Sequence, residues 1–255
     1  FYGHGAFSQD GRWLYTTENN YEAGQGVVGV WDALNGYSRE GEFASGGIGP
    51  HDIRRLPGTD TLVVANGGID THPDSGRAKL NLPTMAPNLS YIEAGRVVET
   101  ARLPQDMHMN SIRHLAVSPA GRVALGMQWQ GDSDAPALVG LHRRGQDIEC
   151  LDASRDAEGA MQGYIGSIAV SRDGAQVAVT SPRGGLVQVF DAGSGALTRS
   201  TALADACGVA PGAGSFVVTS GSGDIVGLTG AKAPKSAGLM WDNHLVVVGD
   251  GGADA

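Results

Sequence analysis

Cysteine is scarce in this sequence, with only Cys150 and Cys207 among 255 residues. Two cysteines cannot build a disulfide framework. The repeat described below puts them on different strands of different units, so we expect two free thiols. No apolar run reaches the length of a transmembrane helix. The first residues contain no signal peptide and already belong to a repeat, which gives the expectation that the chain begins within a longer protein.

Charged residues are also few, and acidic residues outnumber basic ones by 27 to 18, which gives a formal net charge of −9. Such a surface argues against nucleic acid or an anionic membrane as a partner. The sequence lacks the Gly-x-Ser-x-Gly, phosphate-loop, Cys-x-x-Cys and His-Glu-x-x-His motifs of common enzyme classes. Cys-x-x-Cys-His is missing too, which makes covalently bound haem an unsuitable cofactor. Long helical periodicity is absent, and residues 153–161 alone favour a short helix.

Glycine, by contrast, is abundant, with 40 residues scattered between short apolar runs. Without a Gly-X-Y period this composition excludes collagen and suits an all-β protein with many tight turns. One stretch recurs six times: an apolar half-strand runs into a polar turn, with glycine seven places after its first residue. The pairs are His4 and Gly11, His51 and Gly58, His114 and Gly121, Ser167 and Gly174, Cys207 and Gly214, and His244 and Gly251.

The spacing of these starts, roughly 40–60 residues, is typical of β-propeller blades of four strands each, as in WD40-like repeats. We therefore predict one propeller domain over residues 1–255. Its five full blades are predicted at residues 4–47, 48–110, 111–163, 164–203 and 204–240, followed by a single closing strand at 241–248. A lone strand cannot form a blade, so we expect it to belong to a sixth blade. One further complete blade would then give an intact parent of seven.

Several stretches together resemble a known family. They are Gly49-Pro50-His51, Ser111-Ile112-Arg113-His114-Leu115, Trp241-Asp242-Asn243-His244-Leu245, and residues 1–5, 14–19, 63–68, 71–77, 79–82 and 180–185. The chain is similar to an uncharacterised family of exported bacterial seven-bladed propellers, often encoded beside imelysin-like and other periplasmic iron-uptake proteins. The resemblance implies a periplasmic location, reached by twin-arginine export, and an imelysin-like protein as a partner. It implies no activity.

The repeat starts supply the first candidate site. Imidazole and thiolate bind transition metals. Side chains at one repeat position would all lie at the same end of the propeller's central channel, here called the channel mouth. The candidates for a metal site are His4, His51, His114, His244, Cys207 and Glu18. Only neighbours can share an ion, which favours His4, His51 and His114, with Glu18 completing a His/carboxylate set. The alternative is that each histidine forms hydrogen bonds within its own blade.

Other polar residues are candidates for binding a ligand. Asn66 and Gln128 lie at the ends of the second strands of their predicted blades. There they either face the channel mouth or cap turns. The insert at residues 67–89 carries His72, Asp74 and Arg77, which either bind a ligand or belong to a solvated loop; a long loop in a compact domain is more often functional.

These observations favour a non-enzymatic periplasmic protein that binds a transition metal, iron or copper, or a metal chelate at the channel mouth. Two alternatives stay open. One is a metal-dependent, lactonase-like hydrolase that uses Glu18 and Asn66. The other is a docking scaffold for a periplasmic iron-uptake partner. A shared fold does not decide between them, because function depends on the site.

Overall fold

The computed structural model describes residues 2, 4–76, 78–151, 153–229 and 238–247. Across these residues the protein is all-β, with nineteen strands and one short α-helix. The helix, α1 (Arg155–Ala160), lies within the predicted segment, and its first turn is capped by the Ser154 hydroxyl, which accepts a hydrogen bond from the Ala157 amide. No helix in the described part of the chain has the length and apolar character needed to cross a membrane.

The strands form five sheets in chain order. The first two sheets contain β1 (Gly5–Phe7), β2 (Trp13–Asn20), β3 (Gln25–Asp32) and β4 (Ser38–Ala44), then β5 (Pro50–Arg55), β6 (Leu62–Asn66), β7 (Asn88–Glu93) and β8 (Arg96–Arg102). The third contains β9 (Asn110–Val117), β10 (Val123–Trp129), β11 (Val139–His142) and β12 (Glu149–Leu151). The last two contain β13 (Ser167–Val170), β14 (Gln176–Ser181), β15 (Leu186–Asp191) and β16 (Leu197–Ala202), then β17 (Ala206–Pro211), β18 (Phe216–Ser220) and β19 (Ile225–Gly227).

In each sheet, strands that follow one another in the chain are neighbours. Four of the five sheets are four-stranded meanders, and the fifth has three strands among the described residues. A four-stranded meander is the organisation of propeller blades, so the predicted all-β fold class is confirmed. The middle strands are buried, as in β6, whose five residues are all buried, while the last strand of a sheet is largely exposed, as in β4. Sheets that stack face to face bury their middle strands on both sides and leave the outer strand in water.

Glycine recurs in the repeat because the backbone conformation at that position requires it. In the five copies that the structure describes, Gly11, Gly58, Gly121, Gly174 and Gly214 have φ between 68° and 75°. Residues with a side chain rarely adopt this left-handed conformation, whereas glycine does so without steric cost. The recurring glycine therefore marks the turn between the first two strands of each sheet, and it fixes the register that relates the repeat starts to one another.

The chain divides into two compact units: residues 1–115 with 143–148, and residues 116–142 with 149–255. A core cluster of the first unit contains Val28, Ile53, Leu62, Val64 and Ile92. A core cluster of the second contains Ala169, Ala178, Val187, Val189, Ala206, Val209, Phe216 and Val218. The three-histidine group considered next belongs to the first unit.

The predicted closing strand falls at the edge of the described residues. Residues 241–247 form no regular strand, and residue 248 lies outside the described part of the chain. The backbone at His244 nevertheless packs against β17, because a Cβ placed on Gly208 would lie 2.9 Å from the His244 carbonyl carbon. The closing strand, the single domain and the seven-bladed parent stay predictions.

Candidate metal centre

Three histidines from three strand regions meet in the first unit. His4 immediately precedes β1, His51 is the second residue of β5, and His114 lies in β9. Thr17, buried on β2, holds two of these segments together. Its amide donates to the His4 carbonyl at 3.1 Å, and its hydroxyl lies 3.4 Å from the carbonyls of His4 and His51. These contacts hold the backbone in place at His4 and His51.

The three imidazoles form a compact group. Each offers one ligand nitrogen, and these atoms all lie within 4.8 Å of one another. The ring centroid of His51 lies 4.8 Å from that of His4 and 4.9 Å from that of His114. A tetrahedral ion with bonds of about 2.1 Å holds its nitrogens about 3.4 Å apart, so binding would shorten the longest separation between these nitrogens by up to about 1.4 Å. The repeat register predicts these residues to be neighbours, and the structure brings them together.

Hydrogen bonding sets which ring nitrogen of His51 carries the proton. The Nδ1 atom lies 2.7 Å from the carbonyl oxygen of Arg113. A carbonyl only accepts, so Nδ1 donates and Nε2 keeps its lone pair. His4 has a longer contact of the same kind, with Nδ1 3.4 Å from the Asp52 carboxylate. Histidines that bind metals are commonly oriented in this way through their second nitrogen.

Asp52 is a buried carboxylate beside the histidines, with 1% of its side chain exposed. Its oxygens accept from the amides of Ile53 at 2.8 Å and Leu115 at 2.9 Å, and the Arg54 guanidinium lies 3.3 Å away. Burial alone would raise the pKa of Asp52, but Arg54, His4 and the Leu115 amide outweigh it and hold that pKa well below its usual range. Because its oxygens already accept from protein donors, Asp52 orients His4 rather than coordinating an ion.

Asp52 is not among the residues predicted from sequence, although a signal for it exists. It follows the repeat-start His51 directly and precedes Ile53, within a strand that is half buried. A charged residue inside a buried strand is costly unless it is paired. An aspartate at this position therefore indicates a buried ion with dedicated partners.

Electrostatics favour a neutral imidazole at His51. Burial lowers the pKa of His51 well below the ordinary 6.5, and the nearby positive charge of Arg113 lowers it further. We expect an NMR titration of the metal-free protein, with the His51 signal assigned by its loss in His51→Asn, to give a midpoint below 6.5. The unfolded chain, with a His51 pKa of about 6.5, binds a proton more readily than the folded protein. His51 should therefore lower the stability of the fold as the pH falls below about 6.5. A midpoint at or above 6.5 would contradict the burial.

Glu18, predicted to complete a His/carboxylate site, has other partners. It lies on β2, where one carboxylate oxygen accepts from the Arg39 guanidinium at 2.9 Å. The other oxygen accepts from the Thr16 hydroxyl at 2.7 Å. Glu18 is outside the three-histidine group. The carboxylate that contacts this group is Asp52.

Cys207 and His244 belong to the second unit. The Cys207 thiol lies 3.2 Å from the Asp205 carbonyl. Burial, with the Asp205 carboxylate, raises the pKa of Cys207 to about 11. It is therefore protonated at neutral pH, which is not the form that binds metals. His244 is exposed. Among the described residues, neither belongs to a group of three ligand atoms close enough to share an ion.

The two amides predicted to bind a ligand are held by the protein itself. Asn66, at the end of β6, is fully buried and hydrogen-bonded to Ser45, Asn88 and Ser90. Gln128, on β10 in the second unit, donates to a backbone carbonyl at 3.0 Å. Binding of a ligand by Asn66 or Gln128 stays a prediction.

The insert at residues 67–89 is tied to the surface of its own unit. His72 caps the short 3-10 helix Pro73–Ser75, where its Nδ1 accepts from the Asp74 amide at 3.2 Å. Its ring also makes an edge contact with Tyr21, with centroids 6.0 Å apart. The Asp74 side chain is 92% exposed. Arg77 lies outside the described residues, so its predicted role stays a prediction.

No curated protein was found to match this sequence. A family model described as "Protein of unknown function (DUF1513)" matches residues 1–248. This agrees with the resemblance to an uncharacterised family, while export, blade number and gene neighbourhood stay predictions. Because the match spans nearly the whole chain, the chain belongs to the DUF1513 family.

Proposed function

We propose that this protein binds a divalent transition-metal ion through His4, His51 and His114, and that its role is binding rather than catalysis. The observation that carries the proposal is the convergence of three imidazole nitrogens within 4.8 Å. Two of the rings have their Nδ1 atom directed at an oxygen, at Arg113 and at Asp52. This is how proteins orient histidine for coordination.

Copper is the metal that we propose first. Imidazole binds zinc, copper, iron and nickel, and divalent copper is bound most strongly of these by a given nitrogen site. The non-haem iron pattern needs two histidines and a carboxylate. Here the neighbouring carboxylate, Asp52, already accepts from two amides. A set of three nitrogens without a free oxygen ligand therefore favours copper over iron.

The hydrolase alternative receives less support from the geometry. A lactonase-like mechanism needs Glu18 and Asn66 to hold a catalytic ion and polarise a substrate. Glu18 is paired with Arg39, and Asn66 is fully buried. Either residue would have to leave its partners before it could contact a ligand, so we assign no catalytic role.

We place this binding activity in the periplasm, in metal handling together with an imelysin-like partner. The support is the resemblance carried by stretches such as Gly49-Pro50-His51 and Ser111-Ile112-Arg113-His114-Leu115. Three of the resembling stretches, residues 1–5, 49–51 and 111–115, contain members of the three-histidine group.

A copper titration with His51→Asn tests the proposal. Asparagine can keep an N–H directed at the Arg113 carbonyl but lacks the Nε2 lone pair. We expect wild-type protein, purified without an affinity tag, to bind one copper ion per chain. In His51→Asn the affinity should fall by about 100-fold or more, since loss of even an indirect partner of a metal ligand costs 10–100-fold.

The matched control is His108→Asn. His108 lies outside the three-histidine group, and its Nδ1 makes the same type of bond, 3.1 Å from the Gln105 carbonyl. Its replacement should leave copper affinity unchanged. Circular dichroism of all three proteins checks that the fold persists. Wild-type protein that takes up no copper at micromolar concentration, or equal affinities in His51→Asn and wild type, would refute the proposed site.

A further inference from the structure

The electric charge of the three-histidine group would change greatly on metal binding. Imidazoles coordinate in their neutral form, so they bring no negative charge to a divalent ion. The carboxylate in contact with the group, Asp52, already has Arg54 at 3.3 Å. His114 is buried, and His4 and His51 are half-buried. Positive charge placed in such a site is costly unless an anion accompanies it.

Arg113 adds a further positive charge at the same place. It immediately precedes His114 on β9, and its carbonyl accepts from His51 at 2.7 Å. Its guanidinium reaches the start of the insert, where a Cβ placed on Gly67 would lie 3.3 Å from Nη1. Its charge lowers the pKa of His51, after the larger effect of burial. The guanidinium therefore acts on the region where a metal would be bound.

Tyr2 marks the polar surroundings of this region. Its hydroxyl accepts from the Asn19 amide at 2.9 Å and lies 3.2 Å from the Thr71 hydroxyl. Burial raises the pKa of Tyr2, although the Thr71 contact and the charge of Arg113 oppose this. Tyr2 therefore stays protonated at neutral pH and supplies hydrogen bonds, not the negative charge that a loaded site would need.

We infer that the site takes its metal together with a small anionic oxygen ligand, a carboxylate or carbonate, which occupies an open coordination position of the ion and is held by Arg113. This inference rests on the proposed function and names the chemical class of what that site binds. Three histidines leave at least one position of a tetrahedral ion open. Guanidinium is suited to this task, because its planar fork of N–H groups matches the two oxygens of a carboxylate. The same chemistry serves an anion taken from solution and a metal chelate that arrives preformed.

The test measures the anion directly. Wild-type protein is loaded with copper in carbonate-free, non-coordinating buffer, then in the same buffer with either labelled bicarbonate or labelled oxalate, and freed of small molecules by gel filtration. We expect one labelled anion per bound copper, and a different copper EPR spectrum from that of the anion-free sample. Adding oxalate after copper, and adding preformed copper oxalate, distinguishes an anion captured from solution from a chelate bound whole.

The variant is Arg113→Met, which keeps much of the side-chain length but removes the charge. It should still bind copper in anion-free buffer and should lose anion retention by at least about tenfold, the effect of one hydrogen bond to a charged group. Arg102→Met, an exposed position on β8, should retain the anion like wild type. Wild type that binds copper but retains no labelled anion when bicarbonate or oxalate is supplied, or equal retention in Arg113→Met, would overturn the inference and leave the metal site standing. Wild type that binds no copper under any condition overturns both.

Discussion

Replacement of Asp52 by alanine is expected to lower the free energy of unfolding by about 2–4 kcal/mol, because two buried backbone donors lose their acceptor. The carboxylate is 1% exposed, and its loss would take an acceptor from the amides of Ile53 and Leu115. The guanidinium of Arg54 is 41% exposed, so water can replace its contact and it adds little to the loss. Buried donors without an acceptor bear the full cost of their lost hydration. The Leu115 amide belongs to β9, so the change also breaks a bond between β5 and β9 within the first unit.

Urea unfolding of the metal-free protein at pH 7 measures this effect. Asp52→Asn tests the charge at nearly constant volume; its NH2 group would replace one of the two acceptor oxygens and face a backbone donor, so it should also lose more than about 1 kcal/mol. Asp74→Ala removes a carboxylate that is 92% exposed and should change stability by less than about 0.5 kcal/mol. Losses below about 1 kcal/mol in both Asp52 variants would show that the buried bonds contribute little.

The difference in stability between wild type and Asp52→Ala also depends on pH, in a direction that the pKa of Asp52 determines. The folded protein holds the pKa of Asp52 below its usual range, whereas the unfolded chain has a value of about 3.9. The stabilisation from the ionised carboxylate is therefore fully present above about pH 4 and is lost progressively as the pH falls below it. The difference in stability between wild type and Asp52→Ala should narrow accordingly in acid.

The repeat was readable from sequence because its cause is local. A glycine at φ near +70° is required at the turn after each first strand, as at Gly11 and Gly58. That requirement is visible in the chain itself and fixes the position seven residues earlier. The register alone predicts that His4, His51 and His114 are neighbours. The strands of each sheet follow from the same periodic turns.

The identity of the carboxylate beside the histidines could not be read in this way. Glu18 lies near the end of its strand, as a carboxylate of the predicted site would, but it forms an ion pair with Arg39 on β4. That pairing depends on the register of strands that are not adjacent in sequence. Asp52 contacts His4 instead because its own strand turns it inward to the Leu115 amide. Contacts set by tertiary packing need the folded chain, whereas turn chemistry does not.

Replacement of Asn66 by alanine is the second change with a large expected effect, a loss of about 3–4 kcal/mol, the sum of four buried hydrogen bonds at about 1 kcal/mol each. The side chain is fully buried. Its amide donates to the Ser45 carbonyl at 3.1 Å, the Asn88 side-chain oxygen at 3.0 Å and the Ser90 hydroxyl at 3.1 Å. Its oxygen accepts from the Ser45 hydroxyl at 2.7 Å. Alanine removes all four bonds and leaves a gap between β6 and β7.

Asn35→Ala provides the matched control for the urea measurement. Asn35 is exposed in the same unit and makes one side-chain bond, 3.2 Å from the Ser38 hydroxyl, so its loss should cost less than about 0.5 kcal/mol. Copper affinity, measured where Asn66→Ala is still folded, should equal that of wild type, because Asn66 is outside the three-histidine group. A stable Asn66→Ala protein with weakened copper binding would reverse both conclusions. Asn66 would then be a ligand-binding residue, and the hydrolase alternative would regain the amide that its mechanism requires.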